Sequence, residues 1–255
     1  MAERTRRGKL RKAREGKIVA TGSPDYGFHY TEARDNYTVN EECMQVVRRI
    51  FYMIGGENQS LYAVRKALEN EGVPAPSGRR TWNVPCIRNI ISMNFCHFTP
   101  DYDSFSSLPG WAKETLKVHK DDEREHVYNH EQLENAGTHD EYWNAAMDEM
   151  RYTGYMHNYM RMYWGKKILE WSASPEEAFA TTLYPNNKYF LDGRDPNSYA
   201  NVAWVFGQHD RGWKEREAFG KVRYMSAGGL ERKAKPKGYV EKVERLIEEG
   251  RAEAR

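Results

Sequence analysis

The sequence predicts a mainly α-helical protein in two unequal parts, and three observations lead there. Apolar residues recur at helical spacing through most of the chain, Gly and Pro clusters punctuate that pattern, and residue character changes near position 90. Before that point Lys and Arg outnumber Asp and Glu by 16 to 10, and after it they trail by 23 to 27. The net charge of +2 hides this asymmetry. The mean hydropathy of −0.90 describes a polar, surface-rich chain. No run of about eighteen apolar residues exists, and the start lacks the apolar stretch of a signal peptide, so a cytoplasmic protein with no membrane partner is expected. Cys43, Cys86 and Cys96 form neither an even set nor a C-x-x-C pair, which argues against a disulfide framework or a cysteine zinc site.

Element by element, residues 1 to 17 carry eight basic and two acidic side chains on good helix formers and read as a basic helix or arm. A cationic segment of this density is drawn to phosphate whatever the base sequence, although a solvated tail has the same composition. Thr21 to Gly27 is turn chemistry. Asn40 then opens a helix in which Cys43, Val47, Ile50, Phe51 and Ile54 share a face until Gly55-Gly56. A second helix runs from about Ser60 to Gly72 with Leu61, Val64 and Leu68 inward, and a third from about Asn83 to Ser92 with Ile87, Ile90 and Ile91 inward and Arg88 outward. Two helices around a Pro-bearing loop, the last with an outward Arg, are compatible with a helix-turn-helix relative, a pattern many small helical domains share.

Beyond Met93 helices are expected from Trp111 to about Lys120, Asn129 to Ala136, Asp140 to Tyr152, Tyr155 to Trp171, Pro175 to Tyr184 and Tyr199 to Gly207. Ser174-Pro-Glu-Glu177 is a capped helix start. Trp143, Trp164, Trp171, Trp204 and Trp213 crowd this half. Trp164 and Trp171 are seven apart, which on one helix gives a shared face and a rise of roughly 10 Å, suited to an indole relay and equally to core packing. Met156, Met160 and Met162 read first as gap fillers. Arg161 on the same helix and Asp192 in the turn Leu191 to Asn197 can form a bridge, because a buried guanidinium demands a carboxylate. His126 and His130 could share a helix face, but Arg124, Glu125 and Glu131 around them favour a solvated face over a metal site, and no metal is expected.

Resemblance to two families sharpens this reading. Arg6-Arg-Gly-Lys-Leu-Arg-Lys-Ala-Arg-Glu-Gly-Lys17, Pro24-Asp-Tyr-Gly-Phe28, Val46-Val-Arg-Arg-Ile-Phe51, Leu68-Glu-Asn-Glu-Gly-Val-Pro-Ala-Pro76, Trp82 and Ile87-Arg-Asn-Ile-Ile91 resemble the recombinase domain of large serine recombinases across residues 5 to 92. This resemblance implies a small helical domain, residues 1 to 92, that binds double-stranded, recombination-site-like DNA through Arg6, Arg7, Lys9, Arg11, Lys12 and Arg88. Strand cleavage in that family belongs to a preceding domain that this sequence does not include.

From Met93 on, Asn94-Phe-Cys-His97, Thr138-His-Asp-x-x-Trp-Asn-Ala-Ala146, Met156-His-x-Tyr-Met-Arg-Met-Tyr-Trp164, Lys166-Lys-Ile-Leu-Glu-Trp171, Leu191-Asp-Gly-Arg-Asp-Pro-Asn197, His209-Asp-Arg-Gly-Trp-Lys-Glu-Arg216 and Phe219-Gly-Lys-Val-Arg-Tyr-Met225 resemble class II DNA photolyases in order and spacing. The fold so implied for residues 93 to 255 is an α-helical, truncated FAD-binding domain of the photolyase and cryptochrome type. The function so implied is light-dependent repair of cyclobutane pyrimidine dimers in double-stranded DNA, a carbon–carbon lyase reaction using FAD. By resemblance Trp164 lies nearest the flavin, Trp143 is the middle relay and Trp171 the surface terminus. Asn186 meets the flavin N5, Arg161 and Asp192 brace the flavin site, Met162 and Trp204 line the dimer pocket, and Arg211 and Arg223 support the opened DNA. Pro185 stands where the family usually has leucine, and Gly165 replaces alanine. The antenna domain and the helices that hold much of FAD are missing from the resemblance, so poor FAD binding is expected and the redox residues do not by themselves assure repair activity. The alternatives are a non-catalytic DNA-binding protein using the first part, or a chimeric remnant with no integrated function.

Overall fold

The computed structural model describes residues 11, 17, 22–57, 59–233 and 236–253. These fall into two compact units divided between Phe98 and Thr99.

The first unit opens with an antiparallel hairpin, β1 (Phe28–Tyr30) and β2 (Tyr37–Val39), in the register Phe28 to Val39 and Tyr30 to Tyr37. The sequence reading contained no strands here. The hairpin exists because aromatic rings pair across it: Tyr30 stacks on Tyr37 at 5.3 Å, and Phe28 meets Tyr37 at 5.7 Å. Three helices follow, each started by a side chain that accepts a first-turn N–H. Asn40 caps α1 (Glu41–Gly55), Ser60 caps α2 (Leu61–Asn70) and Asn83 caps α3 (Val84–Met93). A short turn of helix, α4 (Phe95–Phe98), closes the unit and stacks Phe98 on Phe51 at 4.2 Å, which carries the unit beyond the motif boundary at residue 92.

The core of this unit is Met44, Val47, Ile50, Met53, Val64, Leu68, Trp82, Ile87, Ile90 and Ile91. Trp82 ties the Pro-rich loop down, donating Nε1–H to the Val73 carbonyl at 2.8 Å. Gly27 (φ +104°) is required where the chain enters the hairpin, because a Cβ would stand 2.9 Å from Met44 Cε. The buried Asn94 amide donates to the Tyr26 and Ile90 carbonyls and so joins the last helix to the first turn.

The second unit is helical among its described residues. A 3-10 turn (Phe105–Ser107) leads to α5 (Gly110–Val118), α6 (His130–Glu134), α7 (Glu141–Thr153), α8 (Asn158–Trp171), α9 (Pro175–Tyr189), α10 (Pro196–Val205), α11 (Ala227–Lys233) and α12 (Pro236–Glu253). Helices α7 to α10 pack each on the next, and α12 lies along α7. The buried Glu149 fastens that last contact, accepting Tyr239 Oη–H at 2.5 Å and pairing with Lys242 at 3.3 Å. Three expectations are corrected. Helix α8 starts at Asn158, after His157 caps it. Helix α9 runs through Pro185 to Tyr189, five residues past the expected end. His126 precedes α6, so it shares no helix face with His130. Residues beyond 225, unassigned from sequence, form α11 and α12. Among the described residues no helix is long and apolar enough to cross a membrane.

The first core should respond to truncation at its centre. Leu68→Ala removes a fully buried side chain of α2, and a loss of about 2–5 kcal/mol is expected. Urea unfolding followed by hydrogen exchange of the α2 amides measures it, and a loss below about 1 kcal/mol would show that α2 is not packed as described.

Candidate functional site

Asp140 sets the first indole. As the cap of α7 it accepts the backbone N–H groups of Tyr142 and Trp143 at 2.9 and 3.0 Å, and its other oxygen accepts the Tyr163 hydroxyl. Burial and that carboxylate push the Tyr163 phenol well above its ordinary range, so it remains a donor. Trp143 is thereby held from both sides. Its Nε1–H donates to the Trp164 carbonyl at 2.9 Å, and its ring meets Trp171 edge to face at 5.8 Å. Trp164 and Trp171 lie two turns apart on α8, both buried. The structure therefore brings Trp143 between its two partners, touching one by its ring and the other through the backbone. Outward from Trp171, Tyr128 lies at 5.6 Å and His139 at 5.1 Å, with the Tyr128 hydroxyl 2.7 Å from His139 Nδ1. Partial desolvation and the neighbouring His126 lower the His139 pKa from its ordinary value. Trp171 also lines a cavity of about 680 Å3 with Lys167, Arg216 and Tyr224.

The second constellation centres on Arg161, also on α8. Its guanidinium donates to Asp192 Oδ2 at 2.9 Å, Asn186 Oδ1 at 2.8 Å and Ser198 Oγ at 3.0 Å, and its plane covers the Phe190 ring at 3.7 Å. Phe190 in turn meets Trp164 edge to face at 6.3 Å. Asn186 is buried and fully engaged, its amide donating to the Gly193 carbonyl at 2.9 Å and to Asn187 Oδ1 at 3.0 Å. Gly193 must be glycine, since any Cβ there would run into the Asn186 carbonyl. Pro185 is buried inside α9 and, with Trp143 and Trp164, walls a crevice too tight to admit a water molecule. Trp164 Nε1 is a buried donor with no partner among the described residues.

The third cluster lies on α10 and the loop after it. Arg223 covers Trp204 at 5.7 Å and Trp213 at 4.9 Å, and Arg211 lies 5.1 Å from the Trp213 ring centroid. Trp204, Arg223, Trp213 and Arg211 thus alternate as ring and cation. Beneath Trp204 lies Lys166, wholly buried, its Nζ donating to the Val205 carbonyl and 5.2 Å from the indole. Burial pushes the Lys166 ammonium down to about 7, against the pull of Asp210 and with help from Arg223. Gly165 permits this approach of α8 to α10, because a Cβ would meet Val205 Cγ2 at 2.8 Å. Met162 is half-buried on α8.

Arg88 is exposed on α3, where Arg79 and Arg80 of the preceding loop are also exposed. Arg6, Arg7, Lys9 and Lys12 lie outside the described residues, and Arg11 is exposed. Among the described residues no cluster of three His, Cys, Asp or Glu side chains could hold a metal ion. Sequence reasoning missed Ser198, Phe190 and Lys166. Nothing in their local sequence marks them, whereas Trp213 was visible in the tryptophan spacing.

Removing the Arg161 cation should cost far more than removing its carboxylate partner. Arg161→Met leaves the buried Asn186 and Ser198 oxygens with only their mutual hydrogen bond of 3.2 Å and should lose about 2–3 kcal/mol. Asp192 is half-exposed, so Asp192→Asn should lose about 1 kcal/mol or less. Urea unfolding of both variants decides, and equal losses would place the energy in the ion pair alone.

No family model matches the chain. Curated proteins do. The chain is 55% identical over 163 residues, 64% of its length, to the deoxyribodipyrimidine photo-lyase of Methanothermobacter thermautotrophicus, where the match covers 37% of that protein. It is 52% identical over 161 residues to the protein of that name from Oryza sativa subsp. japonica, covering 63% of this chain and 32% of the relative. The Arabidopsis thaliana photo-lyase is 49% identical over 162 residues, covering 33% of its own length. The chain thus spans about a third of the length of the curated relatives it matches, and over some 63% of its own length it is similar to photolyases.

Proposed function

We propose that the second unit is a photolyase redox and DNA-reading region, acting in light-dependent repair of cyclobutane pyrimidine dimers in double-stranded DNA and most similar in its motifs to the class II enzymes. One observation carries this reading: a stretch 55% identical to a photo-lyase holds three tryptophans joined by contact, Trp164 to Trp143 to Trp171. FAD is the cofactor this reading requires. The residues fit it in one respect, for the buried Trp164 Nε1–H has no acceptor in the chain's described residues and an orphaned indole N–H is costly. By the resemblance Trp164, Asn186, Arg161 and Asp192 would hold it. In this structure, however, the crevice beside Trp164 admits no water and the Asn186 amide is already bonded to Gly193 and Asn187, so these residues would have to open to receive it. When bound, the flavin supplies the light-driven electron that splits the dimer.

The chain's own groups do the rest. Arg161 keeps positive charge beside Phe190 and Trp164 and fixes the Asn186 amide. The indoles offer a path for an electron from Trp171 at the cavity to Trp164 in the interior. In this reading Trp204 and Met162, each half-buried, would meet an unstacked base, and Arg223 and Arg211 would hold phosphates. For the first unit, exposed Arg79, Arg80 and Arg88 around α3 favour a second, separable reading: phosphate-backbone binding of recombination-site-like double-stranded DNA, as in serine recombinase domains.

Two measurements test these readings. The purified chain incubated with FAD should show flavin absorbance after desalting, and illumination with blue light should restore dimer-containing duplex oligonucleotide, with Trp164→Phe slowing photoreduction by about tenfold or more. Failure to retain flavin in the wild-type chain would sink cofactor use by this chain. Neutralising Arg4, Arg6, Arg7, Lys9 and Arg11 should abolish a gel shift with undamaged duplex; a shift that persists overturns the role of the basic arm.

A further inference from the structure

The loop that follows α10 carries Arg211, Trp213 and Arg223, yet little of its own structure explains why it holds one shape. Its backbone closes in a single bridge between Arg216 and Gly220, with Trp213 N–H donating to the Lys221 carbonyl at 2.8 Å. What fixes it is the end of α5. Lys221 N–H donates to Thr115 Oγ1 at 2.9 Å, Ala218 N–H donates to Asp122 Oδ2 at 2.9 Å, and Gly220 (φ +52°) sits so close to Thr115 and His119 that no side chain could replace its hydrogen. His119 occupies the middle of this seam. Its Nδ1 lies 2.6 Å from Asp122 Oδ2 and its Nε2 3.0 Å from Glu215 Oε1, so one ring joins the helix end to the loop.

We propose that His119, by bridging Asp122 and Glu215, is the positioning residue that sets the loop bearing Arg211, Trp213 and Arg223. Both ring nitrogens face carboxylates, and only an imidazolium donates from both at once. The hydrogen bonds to Glu215 and Asp122 accordingly raise the His119 pKa above its ordinary 6.5, partly opposed by burial, and lower the pKa of each carboxylate. The other charges bearing on this seam are Arg124, beside Asp122, and Lys221, beside Glu215. A group with a raised folded-state pKa gives its full contribution below 6.5 and loses it as pH rises through the folded value. At high pH one nitrogen becomes an acceptor facing a carboxylate, which is repulsive, and the link to Glu215 or to Asp122 is lost. The ring-and-cation array of Trp213, Arg211 and Arg223 then loses one of its supports and keeps the links through Thr115 and Ala218. This inference rests on the DNA-facing role given above to that array, but its structural half can be tested without DNA.

The chain is labelled with 5-fluorotryptophan and the Trp213 resonance identified by its loss in Trp213→Phe. Expected is a Trp213 shift that follows pH with the same midpoint as the His119 ring proton, above 6.5, and that vanishes in His119→Gln while the other tryptophan signals persist. A Trp213 signal indifferent to pH, or one that titrates equally in His119→Gln, overturns the proposal. In a parallel arm, binding of a dimer-containing oligonucleotide at low salt is compared at about pH 6 and about pH 8.5. The wild-type chain should lose affinity by about threefold or more beyond the loss in His119→Gln. An equal loss in both overturns the functional part. Absence of binding at every pH sinks the DNA-facing reading, while the resonance data still decide for or against the latch.

Discussion

The second unit depends on one cation. Arg161 projects from α8 into a place where water is scarce, and a guanidinium there has five N–H donors to satisfy. Its partners come from three separate stretches: Asn186 of α9, Asp192 of the turn, and Ser198 of α10. Satisfying a single charge therefore fixes three elements in relation to α8. Two of the partners are nearly inaccessible to solvent, so they cannot turn to water if the guanidinium moves. The cation also lies flat on Phe190, and Phe190 is the ring that meets Trp164. The position of the innermost indole is thus a consequence of the same charge.

Two kinds of aromatic order follow and differ in what secures them. Trp143, Trp164 and Trp171 are buried, held by a helix cap, a backbone hydrogen bond and close packing. Such groups have no alternative positions of comparable energy, because protein interiors are packed to crystal density. Trp213 and Arg211 are exposed, and cation–π contacts at exposed sites contribute only about 0.5–1 kcal/mol each. Their arrangement needs support from beneath, which comes from Thr115, His119 and Asp122 at the end of α5. Rigid buried rings and an adjustable surface array would suit the two tasks proposed for them, electron transfer over fixed distances and accommodation of a distorted nucleic acid.

The first unit is governed by simpler physics. Three capped amphipathic helices bury one aliphatic core, and Trp82 pins the Pro-rich loop by a single hydrogen bond. Its charged side chains stand outside that core, some of them in surface ion pairs such as Arg48 with Glu41 and Arg49 with Glu71.

Much of this was legible in the residues. Ser174, Asn40, Ser60 and Asn83 marked helix starts because a capping side chain acts on its own local backbone. The apolar spacing identified the inward faces of α2 and α3, while in α1 it found Val47 and Ile50 but not the buried Met44 and Met53. The pairing of Arg161 with Asp192 followed from the cost of an unanswered buried charge. The hairpin at Phe28 to Val39 escaped notice because its strands are three residues each and owe their existence to cross-strand rings. Continuation of α9 through Pro185, the burial of Lys166 under Trp204, and the meeting of His119 with Glu215, ninety-six positions away, depend on which helices lie together. The sequence by itself determined where the helices with a polar capping side chain begin, Asn40, Ser60, Asn83 and Ser174 among them, and much of which residues seek the interior, since both are settled within a few residues of chain. Only the tertiary structure decided which distant charges and rings meet, because those contacts depend on packing that no local interaction specifies.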